Sequence, residues 1–240
     1  MPNKPYVIAM IPARIGSTRL AKKNLALING KPLIAYAILA AKESGMFDRI
    51  VINSDCEVFK KIADQYNVEF YLRPKSLGKS DIKADDVVLD FIENHAADIV
   101  VWLNTTSPLQ TGDEICQAVR HFLDNNLDTL ITVGNEQVHC IYKNQPINFK
   151  WDGKFAQTQD LIPVQPFVYS VMMWKTELFH DVMKENGHAF FIGKIGFYPV
   201  GKLSRILIKN AEDLRIADYI IRAREDGETE IKYDELVKYI

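Results

Sequence analysis

VIAMIPARIGSTRLAKKNLALINGKPL, Val7 to Leu33, is the stretch from which the rest of the chain is read. A short apolar run, Val7 to Ile11, stops at Pro12, and such a run ended by Pro and Gly reads as a buried strand entering a turn. The loop that follows gathers Arg14, Arg19, Lys22, Lys23 and Lys31 beside the backbone amides of Gly16 and Ser17. Cations beside free amides make an anion cradle. In an open α/β sheet such a loop lies at the carboxyl end of a strand, where ligands bind. A solvated basic loop has the same composition, and this stretch alone does not separate the two.

Outward from it, the periodicity alternates. Leu33 to Ser44 has helical spacing and stops at Gly45, Arg49 to Ser54 is a strand, and Cys56 to Tyr66 is an amphipathic helix. Strand, helix and strand in succession imply a parallel sheet. Val68 to Leu72 is a short strand, Asp85 to Asn94 a helix, and Ala97 to Leu103 the most continuous apolar strand. Thr111 caps a helix to about Asn125, with Glu114 at the capping-box position, and Thr129 to Val133 is a strand. Val138 to Gln157 then loses helical spacing, scatters aromatics and carries Asp152-Gly153, a hairpin turn signal. Ser170 to Trp174 returns to a buried strand, and Thr176 caps a helix from Glu177 to Lys184. Phe197 to Val200 and Ile206 to Ile208 are short strands, and Asn210 starts a last helix to about Glu225. The tail, 226 to 240, is polar and then amphipathic. The expectation is a single α/β domain over 1–240, a three-layer α/β/α sandwich on a doubly wound, mostly parallel sheet, with an inserted β arm at about 138–157 forming a homodimer.

Bulk charge excludes some functions. Lys plus Arg (29) nearly balances Asp plus Glu (31), so the chain lacks the basic excess of a nucleic-acid binder and must meet any anion with local charge. No apolar run reaches bilayer length. Met1 to Pro5 has no apolar signal core, and three widely spaced cysteines without a CxxC read as reduced thiols. A cytoplasmic location is expected.

Several ordered segments resemble the acylneuraminate cytidylyltransferases, which make CMP-sialic acid and related CMP-sugar acids. They are Ile11 to Ser17, Lys23-Asn24-Leu25, Gly30 to Ile34 with Tyr36, Ser54-Asp55, Leu72-Arg73-Pro74, Thr106 to Leu109, Gln159-Asp160-Leu161 with Pro163, and Glu212-Asp213-Leu214. The resemblance implies the nucleotide-diphospho-sugar transferase fold, CTP and a sugar acid as substrates, and assistance by Mg²⁺. It also implies that Ala13, Arg14, Gly16, Ser17, Asn24, Arg73 and Asn104 bind nucleotide. Arg14 and Lys23 act on the phosphates, and Gln159, Asp160 and Tyr169 meet the acceptor.

The chain is similar to this family as a divergent member. The family's Asp-x-Asp metal pair falls at Leu207 and Lys209, so the usual ligands are absent. At about 4 Å and an effective dielectric near 20, an inward Lys would repel a divalent ion by roughly 8 kcal/mol. Lys209 is therefore read either as a cationic substitute with a catalytic part or as the mark of an inactive nucleotide-binding homologue. No basic residue lies between Lys154 and Lys175, so the Arg that members use for the sugar carboxylate has no counterpart. Asn104 and Gln110 stand where members have Gln and Arg. A glycosyltransferase of related architecture would carry an acidic metal motif after a central strand, and Asn104 to Gln110 has none.

Overall fold

Along the first strand, Val7, Ala9, Ile11 and Ala13 pack into one apolar cluster and Ile8 and Met10 into another. Successive side chains of a strand point to opposite faces, so a strand buried on both sides belongs in a sheet covered twice. The computed structural model describes residues 4–225, 227, 231 and 233–234; most of the tail read from 226 to 240 lies outside them.

The strands are β1 Val7–Ala13, β2 Leu27–Ile28, β3 Lys31–Pro32, β4 Arg49–Ser54, β5 Glu69–Leu72, β6 Ile99–Leu103, β7 Thr129–Val133, β8 Ile141–Tyr142, β9 Gln145–Pro146, β10 Phe167–Lys175 and β11 Ile195–Pro199. The helices are α1 Leu33–Ser44, α2 Val58–Tyr66, α3 Ala84–Asn94, α4 Gly112–Asp124, α5 Thr176–Asn186 and α6 Ala211–Glu225. Seven strands form one sheet in the order β11-β7-β10-β6-β1-β4-β5. All its neighbours are parallel except β10, which runs antiparallel to β6 and β7. Ile38 of α1, Phe59 of α2 and Phe122 of α4 cover one face; Phe91 of α3 and Phe179 of α5 cover the other. Ala217 and Ile221 of α6 close a third cluster with Ile28, Leu109 and Ile208. The three-layer, mostly parallel architecture is as expected.

Four local expectations change. Ile206 to Ile208 is not a strand; Ile208 N donates to Thr106 O at 2.8 Å and the segment otherwise runs as a loop. Thr176 lies inside α5, where its hydroxyl donates to backbone oxygens of Ala97 and Asp98 instead of capping the helix. Thr111 does cap α4, but Glu114 turns away from the reciprocal capping-box bond and accepts from Gln110 Nε2 (2.7 Å), Gly201 N (2.6 Å) and Ser204 Oγ. The arm holds only β8 and β9, joined by Lys143 and Asn144 at φ 49° and 60°, so the hairpin is not at Asp152-Gly153. A two-residue hairpin loop of the favoured kind needs positive φ at both residues, and that pair meets the requirement.

Candidate functional site

From β1 the sheet extends through β4 and β5 on one side and through β6 on the other, so chain order reverses between β1 and β6. The crevice outside the strand carboxyl ends at such a reversal is where doubly wound sheets bind ligands. A cavity of about 320 Å³ opens there. Its wall comes from the loop after β1, Arg73 after β5, the segment leading into α3, and Trp102 to Thr106 at the end of β6. Arg14, Arg19, Lys23, Arg73, Lys79 and Lys83 line it, and no Asp or Glu does among the described residues. Coulomb's law makes this a site for an anion.

Arg73 carries the sharpest signal. It is 4% exposed, its Nη1 donates to Asn53 O at 3.4 Å, and its Nε has no partner. Burial pulls it below its ordinary pKa, while Asp55 and Asp90 pull it up and Arg14 lowers it further. Trp102 Nε1, also on the wall, is a second buried donor without a partner. A buried donor left unpaired costs about 1–3 kcal/mol; Asn53 Oδ1 and Asp90 Oδ2, on two residues that interact with Arg73, are buried acceptors likewise without a partner.

Lys23 is half-buried, and its Nζ donates to Ile208 O at 3.0 Å. Burial first, then Arg19 and Arg14, bring its pKa down to about 8, with Asp213 opposing. Asn24 is buried and bridges two walls. Its Nδ2 donates to Arg14 O (3.2 Å), and its Oδ1 accepts from Thr105 Oγ1 (2.7 Å). Asp55 ties a third, since Ile15 N donates to its Oδ1 at 3.1 Å, and a Cβ on Gly78 would overlap its carboxylate. Gly78 is what lets the loop after β5 close onto Asp55.

Of the residues expected at the site, Arg14, Ser17, Lys23, Asn24, Arg73 and Asn104 line the cavity. Ser17 N is occupied by Ile15 O at 3.2 Å, so the cradle has one fewer amide than expected. Asn104 Oδ1 accepts from Thr106 N (3.1 Å) and Thr106 Oγ1 (2.8 Å), which fixes its orientation. Ala13 is buried in β1, Gly16 is exposed, and neither lines the cavity. Lys22 and Lys31 of the basic loop also stay off the wall. Lys209 is exposed and off the wall; only its backbone N is engaged, donating to Asp213 Oδ2 at 2.7 Å. Gln159 and Asp160 are exposed on the Thr158–Asp160 turn, and Tyr169 is exposed at a bulge of β10 with φ 57°. None of those three lines the cavity either. Sequence reasoning missed Lys79, Lys83 and Trp102. The first two were visible as spaced lysines in a loop after Arg73; nothing local marks the indole.

The divalent ion implied by the resemblance finds no ligand set. No group of three or more His, Cys, Asp and Glu that could hold a metal occurs among the described residues. Leu207 offers no donor, Lys209 is an exposed cation, and the wall has no carboxylate. The residues present do not fit a protein-held metal. The free thiols Cys56, Cys116 and Cys140 form no disulfide, and no helix among the described residues is long and apolar enough to cross a membrane.

A family model described as cytidylyltransferase matches residues 8–198. The chain is 26% identical over 234 residues to an N-acylneuraminate cytidylyltransferase of Streptococcus agalactiae, covering 91% of this chain and 55% of that protein. It thus spans about 55% of the length of such a relative. It is 34% identical over 231 residues to a post-translational flagellin modification protein B of Campylobacter coli, covering 91% and 96% of the two chains. In fold it is similar to CMP:2-keto-3-deoxy-manno-octonic acid synthetase complexed with CTP, at TM-score 0.70 and 13% identity, over 91% of this chain and 99% of that one. A matched span that begins inside β1 and ends inside β11 takes in the whole main sheet and every element that frames the cavity, and on that span the chain belongs to the cytidylyltransferase family.

Proposed function

We propose that the protein transfers CMP from CTP to a hydroxyl of a sugar acid and releases pyrophosphate. The observation that carries this reading is the cavity at the sheet reversal, with six cations on its wall and no carboxylate. In the reaction the acceptor oxygen bonds to the α-phosphorus, the bond from that phosphorus to the bridging oxygen breaks, and pyrophosphate leaves with the electron pair. Phosphoryl transfer is mostly positioning and charge stabilisation. We assign Arg14 and Lys23 to the charge that grows on the leaving pyrophosphate, and Ser17, Arg73 and Asn104 to holding the nucleotide. Asn24 positions Arg14 through its backbone oxygen. Ala13 and Gly16 flank Arg14 in sequence and hold the loop that carries it. Lys209 takes no part in this scheme, because it is exposed and off the cavity wall. Mg²⁺ has no protein ligands of its own here, and no step is routed through it. Gln159, Asp160 and Tyr169 are assigned to the acceptor on the resemblance alone.

The acceptor class rests on the resemblance and on the relative named an N-acylneuraminate cytidylyltransferase. The missing carboxylate-binding Arg makes sialic acid itself one candidate among keto-sugar acids. The exposed apolar arm supports a homodimer, and a cytoplasmic place is proposed on the three free thiols. The test is pyrophosphate release from CTP against a panel of keto-sugar acids. Release with at least one acceptor is expected. Binding of CTP with no turnover on any acceptor would replace this reading with the inactive nucleotide-binding homologue.

A further inference from the structure

The ammonium of Lys23 is anchored at 3.0 Å on Ile208 O, between the two positions where the resemblance places aspartates. A divalent ion is held by anionic and carbonyl oxygens. Here one flanking side chain is aliphatic and the other is an exposed cation. The carboxylates that act on the cavity cations stand behind them: Asp213 acts on Lys23, and Asp55 and Asp90 act on Arg73. None of the three lines the cavity. The wall therefore offers a ligand positive charge from three parts of the chain, and it offers a metal ion no anionic ligand.

We propose that this cavity binds the free nucleoside triphosphate in preference to its divalent-metal complex, with Lys23, Arg14, Arg19, Lys79 and Lys83 supplying the charge that a bound ion otherwise brings. The proposal rests on the reading of the cavity as a CTP site. A divalent ion on the triphosphate cancels part of the negative charge that these cations attract. With no carboxylate on the wall, no protein anion offsets that loss.

The experiment is titration of the full chain with CTP, once in excess EDTA and once in excess Mg²⁺, at matched ionic strength. The expected Kd in EDTA lies below that in Mg²⁺. A Kd in EDTA equal to or above the Mg²⁺ value overturns the proposal and leaves the CTP reading standing. Absence of CTP binding in both conditions overturns the two together. A second titration compares CTP with CMP in EDTA. At least tenfold tighter binding of CTP is expected, and a smaller difference overturns the proposal, because the cations would then not be reading the extra phosphates.

Discussion

Lys23 is where the cavity's charge becomes measurable. Burial, Arg19 and Arg14 hold its pKa at about 8, against an ordinary 10.5. A bound triphosphate favours the ammonium and raises that value, so between the free and bound values the complex holds more protons than the free chain. CTP affinity is therefore full below about 8 and falls as pH rises through the bound value, with proton uptake on binding. Calorimetry near pH 8.5 in two buffers of different ionisation enthalpy reads that uptake, and equal heats in both would remove Lys23 from the phosphates. Arg73 is the other decisive side chain. Because Arg73 lines the cavity, Arg73→Met should raise the Kd for CTP at least tenfold, about 1.4 kcal/mol. An unchanged Kd would leave Arg73 as a packing residue. Arg14→Ala should weaken CTP binding in the same assay. At this scale the sequence was legible where a motif names the residue, as with Arg14, Lys23 and Arg73. The reading of Leu207 and Lys209 as sharing a face assumed a strand, and the segment is a loop that leaves Lys209 exposed and off the cavity wall.

The elements carry the next level. α1, β4 and β7 lie where periodicity put them, because each is a long enough apolar pattern with a clear stop. Gly45 ends α1 at φ 63°, the left-handed conformation that a helix stop of this kind requires. Two hairpins show the limit of local signals. Asn29 and Gly30, both at positive φ, turn β2 into β3, a hairpin of two-residue strands that no alternating pattern announces. Asp152-Gly153 has an equally good turn signal but no paired strands beside it. A turn residue permits a hairpin; cross-strand partners make one. Glu114 sits in the first turn of α4 yet holds Gln110, Gly201 and Ser204, so it joins that helix to the loop before α6. Thr111→Ala should cost about 1 kcal/mol as a lost cap. Glu114→Ala should cost more, roughly 1.5–3 kcal/mol, because it strands several donors. Urea unfolding ranks the two, and a larger loss for Thr111→Ala would sink the assigned role of Glu114.

For the whole molecule, the arm is the open surface. Tyr142 and Trp151 are each 65% exposed and Phe155 is 84% exposed, and clustered exposed apolar side chains mark interaction surfaces. We expect sedimentation to report a dimer and the double change Tyr142→Glu, Trp151→Glu to return a monomer. A monomeric unmodified chain at micromolar concentration would leave the arm without its assigned partner.

The sequence by itself determined the strand-helix alternation, the basic loop after the first strand, the ordered family segments and the loss of donors at 207 and 209. All of these are patterns within a few residues of one another. Only the tertiary structure decided which cations share a cavity. Lys22 and Lys31, close to Lys23 in sequence, stay off the wall, while Arg73, Lys79 and Lys83 join it from distant segments. The cause is the order of the sheet. Crossover connections bring the carboxyl ends of β1, β5 and β6 to one side, and the turn at each end sets which side chain faces the crevice. Left-handed backbone at Lys22, φ 53°, lies at such a turn, and no local pattern encodes its outcome.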